Sequence, residues 1–190
     1  MKNVWLMGIL VIGLCARPAV ADDLAKFKED SRAAVKELAA RLGGAMQKEM
    51  ATGGPTAAIK VCKDLAPAIT SDISLKTGMR VTRVSLKTRD PLLGSPDAWE
   101  QKVLIDFDVR AKKEDPANLE YAEVVTEPQG KFLRYMKAIP VQPVCLTCHG
   151  ALETLAPQVK ERLSAEYPHD KATGYSAGQL RGAFSIKKTL

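Results

Sequence analysis

The sequence has little histidine, few aromatic residues and only one long apolar run. Two histidines, His149 and His169, occur in 190 residues, so histidine-based acid–base chemistry has almost no material to work with. Aromatic residues make up 5% of the chain, and no block of Lys and Arg interleaves with them, which argues against nucleic-acid binding. No internal repeat or low-complexity tract is present, which excludes a solenoid or a disordered linker protein. Val4 to Ala16 is apolar, broken only by glycine, and is too short to cross a bilayer comfortably; no other stretch is long enough to span. At 46% hydrophobic and 26% charged, the remainder reads as one ordinary globular domain with room for a core.

The N-terminal run reads as an export signal over residues 1–21. Lys2 supplies its positive start, and Ala19-Val20-Ala21 fits the small-x-small cleavage rule, so Asp22 is the expected mature N-terminus. Leu14 stands where a lipidation site at Cys15 would want a small residue. Cleavage removes Lys2 and Arg17 and no acid, so the formal charge falls from +6 to +4. The expected product is a single domain, residues 22–190, in the periplasm or another extracytoplasmic space. It has no stable membrane insertion and no nucleic-acid partner.

Periodicity sets the expected elements. Leu24, Phe27, Ala34, Leu38, Leu42 and Ala45 recur at helical steps and predict an amphipathic helix from Asp22 to about Met50, ended by Thr52-Gly53-Gly54-Pro55. Its apolar stripe packs on its own domain or pairs with a second copy. A second helix is expected from Thr56 to Ala66, limited by Pro67, with Ala58, Cys62, Leu65 and Ile69 on one face. Met79 to Leu86 reads as a strand. Arg89 to Pro96 reads as a loop, and Asp97 as the N-cap of a helix carrying Trp99, Val103 and Phe107. Tyr121 to Thr126 and Lys131 to Ile139 form a hairpin. A helix over Glu153 to Glu166, a loop over Pro168 to Gly178 and a last strand over Arg181 to Lys187 complete an α+β domain with an antiparallel sheet.

The chemistry lies in Cys145-Leu146-Thr147-Cys148-His149-Gly150. On a helical turn the two thiols, three residues apart, project to one side, where each can add across one haem vinyl group. His149, four residues after Cys145, shares that face and can reach the iron. Export suits this reading, one covalent c-type haem, since such attachment takes place outside the cytoplasm. A Cys145–Cys148 disulfide, a thioredoxin-like pair and a zinc site are the competing explanations. The zinc site fails on geometry, since adjacent Cys148 and His149 cannot easily share one tetrahedral ion.

Cys62 is then left over among the mature cysteines, on the apolar face of a helix: an inert buried thiol or an axial thiolate. His169 sits in an exposed-looking loop. Met46, Met50, Met79 and Met136 are the other candidates for the sixth ligand, and spacing alone leaves Cys62 and a methionine level. Lys60 and Lys63 flank Cys62 and can favour its thiolate.

Further blocks resemble a known family. They are Ala57-Ala58-Ile59-Lys60-Val61-Cys62 with Ala66-Pro67, Trp99-Glu100, Leu133-Arg134-Tyr135-Met136-Lys137, the haem motif, and a C-terminal signature of Tyr167-Pro168, Asp170, Ala172-Thr173-Gly174-Tyr175, Gly178 and Arg181-Gly182-Ala183. Together they are similar to a family of small exported single-haem c-type proteins with a PAS-like fold and Cys/His axial ligation. Arg89-Asp90-Pro91 departs from that family's Arg-Asn-Pro. The resemblance implies Cys62 as distal and His149 as proximal ligand, a PAS-like sheet behind a long N-terminal helix, and Tyr175 and Arg181 bordering the haem. The expected function is a redox or diatomic-gas sensor that presents its state to a redox or signalling partner. A simple electron-transfer cytochrome comes second. A haem enzyme such as a peroxidase comes last, because His169 is the one spare histidine.

Overall fold

A computed structural model describes residues 18–190; the segment expected to be most of the signal peptide lies outside the described residues. Helix α1 (Pro18–Lys60) opens the structure. It carries its stripe onto its own domain: Phe27, Ala34, Val35 and Leu38 are buried with Ile69 and Ile73 of helix α2 (Ala66–Thr77) against one face of the sheet. Each of the larger ones, such as Phe27 or Leu38, contributes roughly 1.5–3 kcal/mol when fully withdrawn from water.

One sequence expectation holds here and one fails. The helical run breaks at Thr52-Gly53-Gly54-Pro55 as expected: Gly54 takes φ 71° and ψ −169°, outside the helical region and open to glycine, and a second helical stretch follows it. Pro67, by contrast, does not stop that second stretch. It falls in the first turn of α2, where a missing N–H is tolerated, and helix runs on to Thr77. Between the two lies a π-helical turn, Val61–Leu65, in which the Ala66 N–H reaches back five residues to the Val61 carbonyl. The wider turn shifts the register of the apolar face. Val61 and Ala66 are buried, whereas Leu65, expected on the inner face, is exposed, and Cys62 is half-buried.

Four strands form one antiparallel sheet in the order β1-β4-β3-β2: β1 (Arg80–Val84), β2 (Glu120–Glu127), β3 (Gly130–Pro140) and β4 (Leu180–Thr189). The strands and the hairpin fall where alternation placed them. The expected loop after β1 contains a one-turn helix α3 (Pro91–Gly94), capped by Asp90. The second sheet face is covered by helix α4 (Ala98–Arg110), whose Val103, Leu104 and Phe107 pack on Met136, Ala138 and Ala183. Asp97 caps it, as the sequence suggested, and the Glu100 side chain accepts in return from the Asp97 N–H. Glu100 also anchors a buried polar layer. Ser185 Oγ donates to it at 2.6 Å, and Arg134, 1% exposed, pairs with Glu100, Asp97 and Glu127 while stacking 4.3 Å over Trp99. Helices α5 (Leu146–His149) and α6 (Pro157–Glu166) follow the hairpin. Among the described residues no helix is long and apolar enough to cross a membrane.

One ion cluster ties α1 to the sheet. Glu120 accepts from Arg32 and from the Tyr135 hydroxyl, and it is held at about 2 chiefly by Arg32, against its own burial. A carboxylate held low stabilises the fold above its unfolded value near 4.5 and loses that contribution as the pH falls towards 2. Arg32 is largely solvent-exposed, so the screened contribution is about 1 kcal/mol. In urea denaturation, wild type should exceed E120Q by about that amount near neutral pH, and the gap should close on acidification to about pH 2.

Candidate functional site

The site forms at one end of the sheet. Strands β1 and β3 finish there and β4 begins, so the three segments joined to those ends converge. The Cys145–His149 segment leaves β3, residues 85–96 leave β1, and residues 167–179 lead into β4. Cys145 precedes the short helix α5, which ends when the Gly150 N–H bonds the Leu146 carbonyl. A Cβ on Gly150 would lie 2.6 Å from that carbonyl oxygen, so glycine is required by close approach.

Residues 170–175 strap the motif down. The Tyr175 N–H donates to the His149 carbonyl at 2.9 Å and the Gly174 N–H to the Gly150 carbonyl at 2.8 Å. This strap is the physical content of the C-terminal signature. The Tyr175 ring stands edge-on to the imidazole, centroids 6.3 Å apart, beneath Lys87 and Arg181. His149 is half-buried, and its Nδ1 lies 2.6 Å from the Ala172 carbonyl. A carbonyl accepts only, so Nδ1 carries the proton and Nε2 keeps its lone pair for a metal. Burial, aided by Arg89 and Arg181, holds His149 at about 3, so the ring is neutral at physiological pH.

Cys148 packs beside an apolar cluster of Ile59, Leu155, Val159, Leu163 and Tyr167. That cluster joins α6 to the end of α1, and Lys63 pairs with Glu166 across the same junction. The arrangement carries Cys62, on the π-helical turn, to the motif. Burial raises the Cys148 thiol above its ordinary value; Arg89 opposes this, and the charges of Cys62 and Cys145 add to it. Cys62, Cys145 and Cys148 are all free and half-buried. Met79 and Met136 are buried in the two cores flanking the sheet, not in the cluster beside Cys148, while Met46 and Met50 sit half-buried on α1. His169 is exposed.

Sequence reasoning missed two arginines. Lys63, expected to support a Cys62 thiolate, is engaged by Glu166. The cation that senses Cys62 is Arg83: burial lowers its pKa, and Cys62 and Tyr167 oppose that shift. Its place on β1 two residues after buried Val81, on the same face of the sheet, was the available signal. Arg89, read as part of a loop motif, is 8% exposed, and its guanidinium donates to the Cys148 carbonyl at 2.6 Å and to Asp170 at 3.1 Å.

These residues fit a planar dianionic macrocycle. They offer a free imidazole nitrogen, a cysteine sulfur from a separate element, two thiols on the motif, an apolar wall, and the cations Arg83 and Arg181 for carboxylates. Among the described residues no group of three or more His, Cys, Asp or Glu is arranged to hold a metal ion unaided.

Comparison with known proteins follows the same lines. A family model described as Tll0287-like matches residues 19–188. The structure is similar to the crystal structure of the cyanobacterial heme-protein Tll0287, with a TM-score of 0.60 and 25% identity over 90% of this chain and 95% of that one. No curated protein matches the chain significantly.

Proposed function

The chain belongs to the Tll0287-like family, and we propose that it is an exported c-type haem protein, carrying one covalent haem, that senses redox state or a diatomic gas. The observation that carries this reading is the clasped imidazole: His149, with Nδ1 occupied by the Ala172 carbonyl, next in sequence to a Cys148 that feels the charge of Cys62 on its π-helical turn. The solved relative is a heme-protein, which supports the same cofactor here. The reading includes a PAS-like sheet and no enzymatic activity.

Haem, when bound, would supply a one-electron ferric/ferrous couple. Cys145 and Cys148 would hold it through thioethers, and His149, through Nε2, and Cys62, through its sulfur, would ligate its iron. A thiolate is a strong anionic donor, so Cys62 favours the ferric state and a low potential, where methionine would raise it. Cys62 would bind less strongly to ferrous than to ferric iron, and on taking up one proton from solvent it could leave as a neutral thiol. The π-helical turn gives that departure a route. Reversion from the five-residue to the four-residue hydrogen-bond pattern rotates a side chain by roughly a quarter of a turn, and π turns of this kind concentrate at functional sites. Movement there reaches α6 through Lys63 and Glu166, and so a redox or signalling partner.

The test is the absorption spectrum of the holoprotein in both oxidation states, with carbon monoxide added after reduction. Ready binding of carbon monoxide supports the sensor. An iron that stays six-coordinate in both states and refuses the gas assigns the protein to plain electron transfer.

A further inference from the structure

Arg89 and Asp170 form a buried ion pair, 3.1 Å between Nε and Oδ2, with both side chains at or below 10% exposure. Such pairs often do no more than brace two loops, because desolvation consumes most of their Coulomb gain. Here both arms of the pair end on one residue, Ala172, beside the proximal histidine. Asp170 Oδ1 accepts from the Ala172 N–H at 2.7 Å. Arg89 Nη2 donates to the Cys148 carbonyl at 2.6 Å and to the Ala172 carbonyl at 3.3 Å. That same Ala172 carbonyl receives the His149 Nδ1–H at 2.6 Å. One oxygen therefore serves two donors, a guanidinium and the imidazole.

We infer that Arg89 is a positioning residue for His149: it fixes the Ala172 carbonyl that orients the ring, and by drawing on that oxygen it limits how far the imidazole is pushed towards imidazolate. The chemistry is that of a hydrogen-bonded axial histidine. The better the acceptor at Nδ1–H, the stronger the donation from Nε2 and the more the ferric state is favoured; outer partners of this kind tune affinity and potential. A cation on the carbonyl makes it a poorer acceptor. Asp170 sets how much of that cation the carbonyl feels. The pair is thus an adjustable restraint on the proximal side, independent of whatever Cys62 does opposite.

This inference rests on His149 as an iron ligand, and the experiment separates the two. Holoprotein variants R89Q and D170N are compared with wild type by reduction potential and by the magnetic resonance position of the His149 Nδ1 proton. In R89Q the carbonyl regains its accepting power. The ring-proton resonance should move in the sense of a stronger hydrogen bond, and the ferric/ferrous ratio should rise about tenfold, which for one electron is a fall of about 59 mV. In D170N, Arg89 is left uncompensated and both readouts should move the opposite way. R89K keeps a charge and a donor but lacks the fork needed to serve three acceptors. It should move both readouts in the R89Q direction by less, and it serves if R89Q fails to fold. A simple brace would lose stability in every variant with potential and ring proton unmoved, or moved the same way in both; either result overturns the inference. A potential that shifts while the ring proton stays put reduces Arg89 to through-space charge and overturns it too. Should His149 not bind iron, wild-type holoprotein already lacks an imidazole-ligated signal, so that failure is visible before any variant is made.

Discussion

Replacing Cys145 and Cys148 together by serine is expected to abolish covalent haem attachment while leaving the domain folded. Acid–acetone extraction should then strip all haem from the double variant and none from wild type. Each single variant should retain its haem through one thioether, with the denatured haemochrome band shifted as one saturated vinyl fewer requires. The fold should survive because what holds the segment is its backbone. The Gly150 N–H bonds Leu146, the Tyr175 and Gly174 N–H groups bond His149 and Gly150, and Arg89 holds the Cys148 carbonyl. None of these uses a cysteine side chain. The two singles should differ in stability. Cys148 packs against the cluster of Ile59, Leu155 and Val159, so a hydroxyl there leaves a polar group facing apolar neighbours and costs about 1–3 kcal/mol. Covalent haem persisting in the double variant would refute thioether attachment through this motif.

The motif was legible because its chemistry is local: three residues at fixed spacing, on one turn, need no tertiary information. The sheet was legible for the same reason, since alternation over Arg80–Val84 or Gly130–Pro140 is a property of consecutive residues. What escaped depends on contacts between distant segments. Arg89 bonds to Cys148, Asp170 and Ala172, and nothing in Arg89-Asp90-Pro91 announces that reach of more than fifty residues. Arg83 is half-buried and feels Cys62 and Tyr167, which belong to segments distant in sequence. The break at Gly54 is legible, since a glycine at positive φ is a local signal. The run from Val61 to Thr77 is not: a proline in a first turn begins a helix as readily as a proline limits one. The π turn between the helices changes the face on which Leu65 falls, and no 3.6-residue period reveals a turn that is wider than 3.6. That is also why Cys62, visible as a leftover cysteine, could not be ranked above a methionine from spacing.

The sharpest consequence of the site concerns that cysteine. C62A should keep covalent haem and lose the low-spin thiolate/imidazole signature of the ferric protein in electron paramagnetic resonance, giving high-spin or water-ligated iron. C62M should restore low spin, if its longer side chain reaches, and raise the potential above wild type, since a thioether lacks the charge that stabilises ferric iron. Stability should change little in C62A. The half-buried side chain is small, and the turn that carries it is held by backbone bonds and by the Lys63–Glu166 pair. Carbon monoxide gives the decisive comparison. If Cys62 leaves on reduction, ferrous wild type and ferrous C62A should bind the gas with similar affinity, because the site is open in both. If Cys62 stays, wild type should bind far more weakly than C62A. An unchanged ferric spectrum in C62A would remove Cys62 from the iron altogether. The sensor would then lose its switch, and attention would turn to Met46 and Met50, the half-buried methionines of α1 that lie outside both sheet cores.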